Sequence, residues 1–343
     1  MMNPATSDVH PIGSFFEAVG AEFLTSASDP PWHNGPSISY LQTARQAIAA
    51  IAAIYAAEGR DTLVAPNYLC ESMIAGFDPA RWKLETYKVN DSLRIDADDL
   101  LTSVSRPEST VVLSAAYFGD EPTAEHVAVV ELLQERGARV VQDETHRVLG
   151  PLELLGDVAV ASLRKLLPVA DGAYVRGDIG VGDTIERPHP GWSAIDQKSD
   201  GDLEKATAAF EAADAILESH GAPPARASER TLKTLPRLDY GALRARRRLN
   251  AESLRDYLAE IKPVEVVSGA EVPSHMVIRV DNPRRVQADL ARVDVFCPIH
   301  WPRPSRLSGY DWPDDLLSLP IDHRYAPSDM ARVAEQLALA VAA

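Results

Sequence analysis

Between Thr62 and Arg176 the chain keeps returning to one unit, a short apolar run followed by a turn and a helical stretch. Thr62–Ala65, Trp82–Val89, Thr110–Ala115, Arg139–Asp143, Val158–Ser162 and Ala173–Arg176 read as strands. Asp96–Ser103 and Ala124–Arg136 read as helices, the second closed by Gly137, and Glu71–Phe77 reads as a helix start. A longer helix should begin near Thr43 and run to about Glu58, since its middle is alanine-rich and Gly59 stops it. Apolar strands alternating with helices predict an α/β fold, a mostly parallel sheet covered on both faces. Ligands of such sheets collect beyond the strand C-termini.

The flanks are less regular. A short amphipathic helix is expected over Ser14–Leu24, a loop over Asp29–Pro36 and another over residues 178–200. An alanine-rich helix follows over Asp202–His220. After Gly221-Ala222-Pro223-Pro224, a long helix containing Arg244, Arg246, Arg247 and Arg248 is expected to end near Ile261. Met276–Val280 and Val295–Pro298 read as strands, Gln287–Arg292 and Ser328–Val341 as helices, together a separate α+β lobe. The expected division is a large domain over 1–225, including the N-terminal segment, and a smaller C-terminal domain over 226–343. The 343 residues, 45% of them hydrophobic, suffice for both cores.

A net charge of −16 repels phosphate backbones and anionic lipid, so neither nucleic acid nor membrane is an expected partner. Two distant cysteines, Cys70 and Cys297, form neither a disulfide framework nor a zinc site and fit a reducing cytoplasm. Met1-Met2-Asn3-Pro4 shows no basic leader, and no run of about 18 apolar residues occurs. A cytoplasmic location is the expectation.

Chemistry concentrates around Lys165. It follows the apolar run Val158–Ala161, with Ser162 three residues before it and Gln142-Asp143-Glu144-Thr145-His146 about twenty residues upstream. An amine nucleophile, a nearby hydroxyl and a strand-end carboxylate are the parts a pyridoxal phosphate (PLP) site needs: a Schiff-base lysine and an anion for the pyridinium nitrogen. Ser162 could bind the phosphate, Asp143 the ring nitrogen and His146 the phenolic oxygen. Asp143 also reads as an ordinary helix cap, and a histidine after a strand is often structural. Thr43-Ala44-Arg45 opens a helix, a natural phosphate site, though a plain threonine cap has the same appearance. Tyr68 is either a ring beside the cofactor or a core tyrosine. Tyr117-Phe118-Gly119-Asp120 ends another strand, and His300-Trp301 reads equally as a substrate wall or a tryptophan-anchored loop. No Gly-x-Gly-x-x-Gly after a strand, Walker loop or Gly-x-Ser-x-Gly elbow is present. Asp96, Asp98 and Asp99 read as a helix start in preference to a cation site, and the Arg244–Arg248 run as a helix face or subunit contact.

Taken in order, these pieces resemble the DegT/DnrJ/EryC1/StrS aminotransferases, within the fold type I PLP-dependent enzymes. Thr43-Ala44-Arg45 is similar to the family's phosphate turn and Pro66-Asn67-Tyr68-Leu69-Cys70 to its Pro-rich turn. Tyr117-Phe118-Gly119-Asp120-Glu121-Pro122 is similar to its aromatic-Gly-x-Pro turn, Asp143-Glu144-Thr145-His146 to its Asp-Ala-Ala-Gln/His element, and Ser162–Lys165 to its lysine strand. Cys297–Pro302 and Leu317-Ser318-Leu319-Pro320-Ile321 resemble its C-terminal substrate loop and closing segment. The likeness spans roughly residues 38–340. Two departures stand out: no Gly-x-Asn-x-Arg segment follows Lys165, and Tyr68-Leu69-Cys70-Glu71 replaces an alanine-rich turn.

The resemblance implies a homodimer with its active sites at the interface, PLP bound through Lys165, Asp143, His146, Thr43, Ala44, Arg45, Ser162 and Tyr68, and Tyr117, His300 and Trp301 facing substrate. It implies transamination from an amino-acid donor onto a keto sugar or specialised-metabolite carbonyl. Lys165 speaks against the family's dehydratase branch, which carries histidine there. Elimination or carbon–carbon bond formation on an amino acid is the alternative, and a non-catalytic regulator that kept the fold is a third.

Overall fold

A computed structural model describes residues 10–342, apart from Asn34, Pro36, Ala116, Pro190 and residues 220–222. The expectations for Met1–Pro4, for the helix end at His220 and for Gly221-Ala222 therefore lie outside the described residues. A seven-stranded sheet and a three-stranded sheet organise the chain. The large sheet contains β1 (Ile38–Leu41), β2 (Thr62–Pro66), β3 (Lys83–Tyr87), β4 (Thr110–Ala115), β5 (Arg139–Asp143), β6 (Val158–Ser162) and β7 (Ala173–Gly177), in the order β1-β7-β6-β5-β4-β2-β3. β3, β2, β4, β5 and β6 run parallel, and β7 and β1 add antiparallel at one edge.

Alternation along each strand divides its side chains between two cores. Leu63, Ala65, Val111, Leu113 and Val141 pack against Ile48 and Ile51 of α1 (Ala44–Ala57). Val64, Val112 and Val140 face the other way, onto Leu100 of α2 (Ala97–Ser103) and Val129, Val130 and Leu133 of α3 (Ala124–Glu135). Asp96 caps α2 by accepting the Asp99 N–H at 3.0 Å.

Several expected elements come out differently. Ser14–Leu24 is not a helix; Gly13 and Ser14 take positive φ, and only Ala21–Phe23 make a 3-10 turn. Its aromatic residues are spent on tertiary contacts: Phe15 stacks on Phe210 at 4.5 Å and Phe16 on His323 at 5.3 Å. Glu71–Phe77 contracts to a 3-10 turn at Glu71–Met73. Within the expected loop 178–200 lies α4 (Gly191–Ser199), which packs on α5 (Leu203–Ser219). The expected long helix is divided into α6 (Glu229–Thr234), a turn at Leu235–Arg237 containing Pro236, and α7 (Tyr240–Leu258) capped by Asp239.

The small sheet has β8 (Glu265–Val266), β9 (Met276–Arg279) and β10 (Leu316–Leu319), all antiparallel. It packs with α7, α8 (Pro283–Ala291) and α9 (Pro327–Ala342) around Leu254, Ile278, Val286, Leu317 and Leu337. Val295–Pro298 forms no strand, only a bridge from Val295 to Ile12, which brings the N-terminal segment into this second core. α7 belongs to both cores: Tyr240 and Leu243 pack with the large sheet's Tyr174, Ala251, Leu254 and Leu258 with the small sheet. Among the described residues no helix is long and apolar enough to cross a membrane.

Candidate active site

The parallel strands end on one edge, and a cavity of about 1430 Å³ lies there, walled by both sheets' connections. Asp143 is the last residue of β5, Ser162 the last of β6, and Lys165 lies in the 3-10 turn that follows. Register places them side by side, since Asp143 pairs with Val160 on the neighbouring strand. Thr43, Ala44 and Arg45 reach the same cavity from the start of α1, Tyr117 from the end of β4, and His300 and Trp301 from the C-terminal lobe. Of the residues expected in the site, only Tyr68 is not on the cavity wall. It is buried behind it, donating its hydroxyl to the His300 carbonyl while its carbonyl accepts the Tyr117 hydroxyl.

Lys165 is an unusual lysine. The neighbouring Arg164 charge and burial lower its amine to about 8, so a substantial neutral fraction exists near neutrality. Arg164 in turn pairs with Asp214 of α5 at 3.1 Å. Asp143 accepts the Thr145 N–H at 2.8 Å, and burial raises its carboxyl above the usual range. A half-buried carboxylate without an ion pair among the described residues suits a cationic N–H partner. The Thr43 hydroxyl accepts the Gln46 N–H at 3.2 Å as an N-cap, leaving its own O–H to donate outward beside the first N–H groups of α1.

The roof is aromatic. Trp301 stacks on Phe118 at 5.7 Å, and His146 lies 5.0 Å from Phe118 and 5.7 Å from His300. A third histidine, His275, sits 4.8 Å from His300. Burial drives all three well below the ordinary histidine value, His146 to about 3, so each is neutral. His146 Nδ1 has no hydrogen-bond partner among the described residues. His300 is fixed by Ser318, 2.8 Å from its Nδ1. Gly119 lets the backbone after β4 turn under this roof: its φ is +105°, and a Cβ there would lie 2.7 Å from the Val272 carbonyl.

His275, Arg164 and Arg247 line the cavity without having been singled out from the sequence. Arg247, read with its neighbours as part of a helix face or subunit contact, falls on the stripe Leu243, Arg247, Ala251, Leu254, at the three- and four-residue spacing of the buried side. That spacing was the available signal. His275 had none, because only tertiary packing brings it to His146.

The residues present suit PLP: an amine of lowered pKa, a half-buried carboxylate, a ring with a nitrogen unpartnered among the described residues, and a capped helix start. The fold is that of the fold type I PLP aminotransferases. Spr1654 from Streptococcus pneumoniae, to which a sugar aminotransferase activity is ascribed, superposes in its PLP form with a TM-score of 0.68 at 15% identity, over 97% of this chain and 99% of that one. The aminotransferase TlmJ from Streptoalloteichus hindustanus gives 0.66 at 17% identity, over 96% and 99%. A DegT DnrJ EryC1 StrS aminotransferase from Brucella abortus gives 0.58 at 12%, over 88% and 84%. No family model matches the sequence, and neither does any curated protein.

Proposed function

We propose that the protein is a PLP-dependent aminotransferase that moves an amino group from an amino acid to a keto sugar or a related specialised-metabolite carbonyl. One observation carries this reading: Lys165, with its amine lowered to about 8, shares a cavity with the Asp143 carboxylate and the start of α1, at the C-terminal edge of a parallel sheet. The solved structures of this fold include proteins whose names specify sugar aminotransferases, which supports the acceptor class.

Thr43, the N–H groups of Ala44 and Arg45, and Ser162 would hold the cofactor phosphate. Asp143 would accept a hydrogen bond from the ring nitrogen and His146 would orient the ring, with Tyr68 supporting the wall behind. When bound, PLP supplies an aldehyde for the lysine amine and a ring that withdraws electrons from the carbon being deprotonated. Lys165 Nζ would serve as the base that holds and moves the proton of the donor's amine-bearing carbon. Tyr117, His300 and Trp301 form an apolar, water-excluding wall for the acceptor. The working unit is a cytoplasmic homodimer, each chain divided into a large domain over 1–225 and a small one over 226–343.

Adding PLP to the purified protein should give a cofactor absorbance band, and borohydride should fix the label on Lys165, located by peptide mass spectrometry. Lys165→Ala should lose both label and turnover. With a glutamate donor and a panel of keto sugars, 2-oxoglutarate should accumulate. A protein that never takes up PLP would sink the proposal.

A further inference from the structure

The cavity is larger than a cofactor and a small amino acid require: about 1430 Å³, above the roughly 300–1,000 Å³ that houses most small ligands. Its inner end is polar, with Thr43, Asp143, Ser162 and Lys165. Toward solvent the wall changes to Pro11, Phe15, Leu203, Phe210, Ala291 and Phe296. Phe15 and Phe210 stack on each other at 4.5 Å, and Leu203 and Phe296 remain 47% and 39% exposed. A single exposed leucine means little, but large apolar side chains gathered on one concave wall mark a binding surface.

Charge on this outer wall selects among occupants. Its two cations are already matched: Lys198 pairs with Glu17 at 3.1 Å, and Arg324 pairs with Asp322 at 2.8 Å and with Glu17 at 3.3 Å. Glu211 and Asp294 stand exposed at the rim, and no lysine or arginine among the described residues pairs with either. Arg247 is 1% exposed, with Nη1 donating to the Ser274 carbonyl. Arg45, Arg164 and Lys165 bear on one another at the cofactor end, and Arg164 pairs with Asp214. On the outer wall Glu17, Glu211, Asp294 and Asp322 therefore outnumber Lys198 and Arg324. A phosphate ester or a nucleotide would meet repulsion there and no spare cation, whereas an uncharged hydrocarbon group gains from burial.

We propose that the outer half of the cavity receives an uncharged hydrocarbon group of the acceptor, whose carbonyl is therefore carried on an apolar substituent and not on a phosphate or a nucleotide. This rests on the aminotransferase reading for the carbonyl, but the wall can be tested without turnover. N-phenyl-1-naphthylamine and 1-anilinonaphthalene-8-sulfonate share an aromatic skeleton and differ by one sulfonate. In fluorescence titrations the uncharged dye should bind about tenfold or more tighter. Leu203→Asp should weaken the uncharged dye by about tenfold or more, and Phe296→Asp, in a different part of the chain, should do the same. Glu211→Lys combined with Asp294→Lys should narrow the gap between the dyes. Hexyl β-glucoside should displace the uncharged dye; methyl β-glucoside and UDP-glucose should not.

Equal affinity for the two dyes, unchanged affinity in both aspartate variants, or displacement by UDP-glucose and not by hexyl β-glucoside would overturn the proposal. A wild type that takes up no uncharged dye overturns it too; if Leu203→Asp then halves the mass in light scattering, a second copy covers this wall instead. A protein that binds the dye through Leu203 yet takes up no PLP keeps the apolar wall and loses the aminotransferase reading. One that produces 2-oxoglutarate but fails the dye tests does the reverse.

Discussion

Lys165 gains its reactivity from its neighbours. With an ordinary amine, near 10.5, about a third of a thousandth would be neutral at pH 7; at about 8, roughly a tenth is. Capture of added PLP by the apo-protein should therefore speed up as pH rises from 6 and level off above about 8, followed by stopped-flow absorbance. A rate still climbing steeply at pH 10 would show that Lys165 is an ordinary lysine. The sign for stability is the same: between about 8 and 10.5 the unfolded chain binds the extra proton, so this group makes the apo-protein more stable as pH rises. Asp143→Asn keeps the shape and removes the charge facing the ring nitrogen. Turnover should fall about 100-fold, with PLP still bound, as for other single charge-stabilising groups. At this scale the sequence was informative where chemistry and strand ends coincide, at Asp143, Ser162 and Lys165. It was silent on His275, whose neighbours His146 and Phe118 come from segments more than a hundred residues away in the chain.

Elements with their own punctuation were legible: β4, β5 and β6 have the predicted bounds, and α1 starts at its Thr43 cap. Ser14–Leu24 misled because its helical spacing of apolar residues serves contacts to two other elements. β1 and β10 escaped notice because four-residue strands carry almost no period of their own. β7, between β1 and β6, is anchored by charge as well as by its ladders. Arg176 Nη2 lies 2.5 Å from Glu144 Oε1, both residues essentially without exposure, and Tyr174 donates to Glu144 Oε2 at 2.6 Å. Arg176→Met leaves that carboxylate buried and unpaired, and should cost about 3–5 kcal/mol in urea denaturation. At the turn after β4, Gly119→Ala should destabilise through both its positive φ and the Val272 contact; the same denaturation series reads it.

At the scale of the molecule, the sequence conveyed an acidic chain, and the structure adds how the cores of the two sheets meet. The N-terminal segment ties into the C-terminal core through Ile12, and Arg324 clasps it through the Phe15 carbonyl at 2.9 Å while holding Asp322. The Arg324 charge keeps the Asp322 carboxyl well below the usual range despite burial. That stabilisation is complete above about pH 5 and is lost as acid protonates Asp322, so Asp322→Asn should flatten the acid side of the stability profile. Light scattering should report twice the 37.3 kDa chain mass if the working unit is a dimer.

α7 gives the chain a thermodynamic property as well as a scaffold. Because its first turns are part of one core and its last turns part of the other, neither lobe can melt without stripping a helix from its neighbour. Heat should therefore take the protein apart in a single cooperative step, with calorimetric and van't Hoff enthalpies in agreement, and not lobe by lobe.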